Sequence, residues 1–126
     1  MPKVVALIKR KPGVSREQFR HHYETYHAPM AQRMVGHLLV KYVRNYPYNL
    51  VEYQPEDNFL DDGYDAITEF YFKDENGPSE MARIFSLPEN NAEILVDEEK
   101  FQDRTKTRLF VVDEANTGVE YQGDCK

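Results

Sequence analysis

Cysteine is almost absent from these 126 residues: Cys125 is the only one and stands next to the last residue. That excludes an internal disulfide framework and makes a reducing, cytoplasmic setting the expectation. Basic residues are in deficit, 16 Lys and Arg against 22 Asp and Glu for a net charge of −6. A nucleic acid or an anionic membrane surface would find no electropositive footprint. Long apolar runs are missing as well. Val4 to Ile8 near the N-terminus is too short for a secretory h-region and far too short to span a bilayer, so a strand is expected instead. There is no fixed-period repeat and no low-complexity tract. The histidines show no ligand spacing of the kind zinc requires, so no metal is expected. A chain of this length fits one domain that buries roughly two-thirds of its surface.

What is there centres on Tyr23-Glu24-Thr25-Tyr26-His27-Ala28-Pro29-Met30-Ala31. Histidine is the side chain best suited to proton transfer near neutral pH. Here it stands beside a proline that interrupts helices and two tyrosines able to hold its ring, in a pattern that asks for neither metal nor organic cofactor. Ser15 followed by Gln18 is a capping-box pattern, so a helix should begin at Arg16. A 3.6-residue period places Phe19, Tyr23, Tyr26, Met30 and Met34 on one face with His27 at its edge. Because the residue before a proline is pushed out of the helical region, Ala28 should break or kink the helix just after His27.

The remaining punctuation yields three more strands and a second helical region. Val4 to Ile8, closed by Pro12-Gly13, is followed by the first helix, and Leu38 to Tyr48 then reads as the second strand. Residues 49 to 64 form a long loop, a candidate lid or pocket wall. Asp65 to Phe72 is the third strand. A helix from about Ser79 is interrupted at Pro88 and resumes through Leu95, and Thr107 to Val112 is the last strand. The order βαββαβ specifies an α+β, ferredoxin-like sandwich with its helices on one face of a four-stranded antiparallel sheet. In the second and third strands apolar residues occupy both parities, so both faces of the sheet want cover. Two helices cover one face only, and a second copy of the chain is the simplest cover for the other. A homodimer is therefore expected.

Three stretches carry a resemblance: residues 9 to 19 (KRKPGVSREQF), Tyr26-His27-Ala28-Pro29, and residues 64 to 72 (YDAITEFYF). Together they resemble the EthD family of dimeric α/β barrel proteins, over about residues 3 to 113, with the C-terminal tail outside. The resemblance implies a dimer with sheets packed face to face and a small-molecule pocket in each subunit between sheet and helices. It implies chemistry often labelled oxidoreductase, among relatives that include cofactor-free oxygenases, cyclases and isomerases. It places the family histidine on His27 and the aspartate opening the third strand on Asp65. Isomerase-like relatives also have a Lys-Tyr pair, matched by Lys41-Tyr42, but the histidine of their loop has no counterpart between Asn49 and Tyr64, which argues against lactone isomerisation.

His27 reads either as a catalytic group or as a ring that satisfies free backbone groups at a helix end. Asp65 either orients His27 or caps the Gly63-Tyr64 turn. Arg44 either faces the pocket, ready for a carboxylate or phenolate, or pairs with Glu69 at an interface. His21 and His22, and the acidic runs Asp61-Asp62 and Asp97-Glu98-Glu99, read as solvated surface. A pocket built from Tyr23, Tyr26, Met30, Arg44, Tyr46 and Phe70 would prefer flat, apolar, weakly polar ligands. The expected mechanism is proton transfer on a hydrophobic aromatic or polyketide-like substrate, as in a cyclase, isomerase, decarboxylase or oxygenase, with His27 as base or acid and Tyr42 or Arg44 on the developing oxyanion. The alternatives are a non-catalytic dimeric binding or accessory protein for an oxygenase pathway, and a haem-binding relative.

Overall fold

A computed structural model describes residues 2–48, 63–121 and 123. Among them four strands form one antiparallel sheet: β1 (Pro2–Ile8), β2 (Leu39–Asn45), β3 (Ala66–Phe72) and β4 (Arg108–Asp113), in the order β2-β3-β1-β4. The helices are α1 (Arg16–His22), α2 (Ala28–Val35), α3 (Gly77–Phe85) and α4 (Pro88–Glu98). This is the expected α+β, ferredoxin-like arrangement. Apart from Gly63 and Tyr64, the long loop lies outside the described residues, as does Cys125.

The helix begins where the capping box places it. Ser15 Oγ accepts from the Gln18 amide at 3.1 Å, and Gln18 Oε1 accepts from the Ser15 amide at 2.9 Å. The expected break after His27 does not occur. Ala28 keeps helical angles (φ −61°, ψ −44°), and Tyr23–His27 forms one π-helical turn that joins α1 to α2. A proline in a helix lacks an amide hydrogen and crowds the carbonyl four residues back. Widening the preceding turn, with the Ala28 amide on the Tyr23 carbonyl, leaves Pro29 in the first turn of α2, where no intrahelical amide bond is required. The same widening corrects the helical face. Tyr26, expected inside, is 57% exposed, whereas His27 is buried beside Tyr23, Met30 and Met34.

Element boundaries move by a few residues. A short 3-10 turn, Gly36–Leu38, precedes β2, which stops at Asn45. The next helix starts at Gly77 because Pro78 fits the first turn, and Pro88 opens α4 for the same reason. Residues Val4, Ala6 and Ile8 of β1 and Ala66, Thr68, Phe70 and Phe72 of β3 point to the helices and are buried. Against them pack Phe19, Tyr23, Met30, Met34, Val35, Met81 and Ile84. On the opposite face the register aligns Val5, Glu69, Val43 and Phe110, flanked by Leu7 and Ile67 on one side and Lys3, Tyr71 and Val112 on the other. Lys3 Nζ lies 2.7 Å from Glu69 and 3.1 Å from Glu114 there. The helix-side surface carries another ion pair, Arg44 with Glu24, at 3.0 Å from Nε and 2.6 Å from Nη2.

Two outcomes are expected. A Cβ at Gly77 would overlap the buried Phe72 side chain from its Cβ into the ring. Overpacking of about 1–3 kcal/mol should exceed the helix-propensity gain of up to about 1 kcal/mol, so Gly77→Ala should lower the urea midpoint; an unchanged midpoint would show that Phe72 moves aside freely. The bonds from Lys3 and Arg44 hold Glu69 and Glu24 below the usual glutamate range. A lowered folded pKa stabilises above the unfolded value of about 4.3 and is lost as pH falls below it through the folded values. Urea midpoints should therefore drop below about pH 4, with a shallower acid limb in Glu69→Gln; parallel limbs would rule out that contribution.

Candidate functional site

His27 closes the widened turn, and its ring is met by a carboxylate from α4. Its Nδ1 lies 2.7 Å from Asp97 Oδ2, and His22 Nε2 lies 2.9 Å from Asp97 Oδ1. Phe101, fully buried, floors the pair: its ring stacks on His22 at 4.5 Å and lies 5.1 Å from His27. Tyr23 meets the His27 ring edge-on at 5.0 Å. Burial works against ionising Asp97, but the hydrogen bonds from His27 and His22 outweigh it and hold the carboxyl below its ordinary range. An ionised carboxylate only accepts, so both rings donate to it. In its neutral state His27 thus carries its proton on Nδ1 and keeps Nε2 as the free nitrogen.

His27 lies on the wall of a cavity of about 90 Å³ between the helices and the sheet. Ile8, Met30, Phe70, Phe85 and Ile94 make the walls apolar, Tyr23 shares them, and the exposed Leu109 stands at the β4 edge. Polar atoms come from His27, Glu98, Gln102 and Thr107. Burial pushes the Glu98 carboxyl above its ordinary range, against the opposing pull of His27 and of Arg104, whose Nε is 3.0 Å away. Adjacent acids on α4 are thus shifted in opposite directions, Asp97 down and Glu98 up. Such a split is the usual mark of distinct acid and base roles.

The residues singled out in the sequence divide into two groups. His27, Tyr23, Met30 and Phe70 meet at the cavity. Tyr42 and Arg44 stand behind its wall. Tyr42 stacks on Phe70 at 4.8 Å, and its hydroxyl is 3.2 Å from that of Tyr23, which is 2.6 Å from Thr68 Oγ1. Burial raises the pKa of both tyrosines and keeps them neutral. Arg44 lies over the Tyr42 ring and pairs with Glu24, not Glu69, which projects from the other face with Lys3. Tyr46 donates to Glu24 at 2.5 Å, and the Tyr26 ring lies tilted against His22 at the surface, 5.1 Å between centroids. Lys41, on the face opposite Tyr42, lies over Tyr71.

Asp65 serves elsewhere. Its Oδ2 accepts the Arg10 amide at 2.9 Å and lies 3.6 Å from Lys9 Nζ. The carboxylate on His27 is Asp97. His22 and the Asp97-Glu98 pair, expected as solvated surface, are partly buried at the site. A signal for them existed: Asp97 and Glu98 follow Ile94 by three and four residues, so on a helix all three share the inward face. Gln102, beyond the helix, carried no such signal. Among the described residues no cluster of His, Cys, Asp and Glu is arranged to hold a metal ion, and no helix is long and apolar enough to cross a membrane.

No curated protein matches the chain. Among solved structures, the fold is similar to that of Arabidopsis thaliana At3g17210, with a TM-score of 0.62 and 18% identity over 94% of this chain and 100% of that one. An ethyl tert-butyl ether D (EthD) family protein of Bacillus halodurans is similar at a TM-score of 0.60 and 21% identity, covering 91% of this chain and 99% of its own. A Bacteroides fragilis protein described as dimeric and ferredoxin-like follows at 0.52, with 10% identity over 90% and 95% of the two chains. The EthD domain matches residues 11–105, most of the chain and all of the helical site. The chain therefore belongs to the EthD family.

Proposed function

We propose that the protein is an enzyme that moves a proton to and from carbon on a hydrophobic aromatic or polyketide-like substrate, without metal or organic cofactor. The observation that carries this is the buried His27 on the cavity wall, with Nδ1 fixed 2.7 Å from an ionised Asp97. In this reading Nε2 of His27 removes the proton as general base. Asp97 holds the tautomer and stabilises the imidazolium that forms. Glu98, whose carboxyl burial shifts upward, lines the same cavity and, when protonated, donates to the oxygen on which enolate charge develops. Cyclisation, isomerisation, decarboxylation and attack of oxygen on a carbanion each begin or end with proton transfer at carbon.

The cavity volume of about 90 Å³ is below the roughly 300–1,000 Å³ of sites that enclose a whole ligand. One chain therefore receives the reacting end of its substrate, and the remainder leaves past Leu109 at the β4 edge. A second copy covers the open sheet face, where Val5, Leu7, Val43, Ile67, Phe110 and Val112 lie exposed or half-exposed around the Lys3–Glu69 pair. The dimeric description of the Bacteroides fragilis structure supports that arrangement.

Deuterium uptake at the α-carbon of aryl methyl ketones and aryl 1,3-diketones in D₂O, followed by proton NMR, tests the chemistry. The wild type should accelerate exchange, His27→Ala should lose about 10²- to 10⁴-fold, and Asp97→Asn, which disturbs the tautomer, about 10²-fold or more. Full activity in His27→Ala would leave a binding protein as the better reading. For the assembly, sedimentation should give twice the 14.9 kDa chain mass, and Phe110→Glu should shift the protein to monomer; a dimer that survives this substitution would place the interface elsewhere.

A further inference from the structure

His22 and His27 stand five residues apart, a spacing that sets two side chains about 140° apart around a regular helix. The widened turn removes that separation. Its amide bond, from Ala28 to the Tyr23 carbonyl, joins residues five apart, and residues at that interval share a face. Both rings therefore reach one carboxylate, His27 through Nδ1 at 2.7 Å from Asp97 Oδ2 and His22 through Nε2 at 2.9 Å from Oδ1. Only His27 of the two lines the cavity. Side-chain exposures of 16% for His22, 11% for His27 and 13% for Asp97 leave little water to screen the three groups from one another.

One carboxylate carries one negative charge. With either ring protonated, the group of three is neutral; with both protonated, it holds a net positive charge largely out of water, which disfavours the second proton. Of the other titratable groups around the pair, Glu98 on α4 is shifted upward by burial and lies 3.0 Å from Arg104 Nε, while Tyr23 and Tyr26 of the widened turn present their rings. Asp97 is the anion that both histidines address. We propose that His22 is a positioning residue that shares the single charge of Asp97 with His27, so that one ring at a time becomes an imidazolium and His27 has that charge beside it only while His22 is neutral. This rests on the proton-transfer reading of the same site and adds its regulation by pH. A proton that Nε2 of His27 takes from carbon creates an imidazolium that Asp97 stabilises at contact. A proton already on His22 leaves that imidazolium without its counter-charge. His22 thus acts on the base through Asp97, from outside the cavity.

Imidazole titrations followed by NMR in the full-length protein, without substrate, test the sharing. His22→Gln keeps a donor near the Nε2 position and His27→Asn keeps one near the Nδ1 position, and neither amide takes a charge. The two wild-type midpoints should sum to at least about one unit less than the His27 midpoint in His22→Gln plus the His22 midpoint in His27→Asn, a roughly tenfold penalty on the second proton. Equal sums would overturn the proposal. The pH profile of kcat/KM for the aryl ketone exchange tests the consequence, and its wild-type arm decides even if a variant does not fold. The acid limb should report two ionisations in the wild type and lose one of them in His22→Gln. A single ionisation in the wild type, or an unchanged limb in His22→Gln, would also overturn it, because a merely structural His22 lowers the rate at every pH without changing the number of ionising groups. Unequal sums together with full exchange activity in His27→Ala would leave the shared carboxylate standing and remove the proton-transfer reading.

Discussion

The constraint on which the site depends is Pro29 inside a helix that does not stop. A proline there removes one amide donor and would press on the carbonyl four residues earlier. The chain resolves this by widening one turn, Tyr23–His27, rather than by ending the helix. The extra residue in that turn changes which side chains face inward. Tyr26 turns to the surface, and His27 becomes part of the interior with its ring against Phe101 and Tyr23. Single π-helical turns are uncommon and often accompany functional sites. Here the reason is geometric: without the widened turn, the histidine stays at the edge of the helical face.

Placing the buried His27 beside the partly buried His22 is tolerable because both rings donate to a single carboxylate. Asp97 would resist ionisation in that environment, and the two donors reverse the balance. Glu98, one residue later, has one bond to Arg104 and remains dominated by burial. The two acids differ in depth as well as in partners, so neighbouring residues at one helix end carry carboxyls shifted in opposite directions, Asp97 down and Glu98 up. Phe101 underlies both histidines and ties this polar group to the aromatic core through Phe19 and Tyr23.

Much of the fold was legible because it follows from local rules. The Ser15–Gln18 capping box, the apolar runs of β1 and β3, and the turn residues before Gly77 and Pro88 each specify an element without reference to the rest of the chain. The two-sided character of the strands also predicted an open sheet face. The site was legible only in part. His27, Tyr23, Met30 and Phe70 announced themselves by residue type and period, whereas Asp97 and Glu98 sat in an acidic run that resembles solvated surface. Their inward phase relative to Ile94 was present in the sequence, but the charge pattern outweighed it. Tyr26 was misplaced because a 3.6-residue period cannot express a widened turn. Gln102 lies outside any periodic element, and its place comes from the long-range pairing with Arg10.

That pairing gives Asp65 a role that residue type alone obscured. An aspartate opening a central strand reads as a partner for the histidine, yet its carboxylate accepts the Arg10 amide and lies close to Lys9. Arg10 in turn pairs with Gln102, and the neighbouring backbone bonds at Lys9 and Lys11 fasten Asp103 and Phe101. Asp65 therefore reaches the site through the backbone. It fixes the extension of β1 against the segment after α4, and that segment supplies the ring beneath the two histidines and Gln102 on the cavity lining. Catalytic geometry is sensitive to displacements of about 1 Å. Under the proposed proton transfer, a residue that clamps this segment acts on the chemistry through position, without touching a substrate or the histidine.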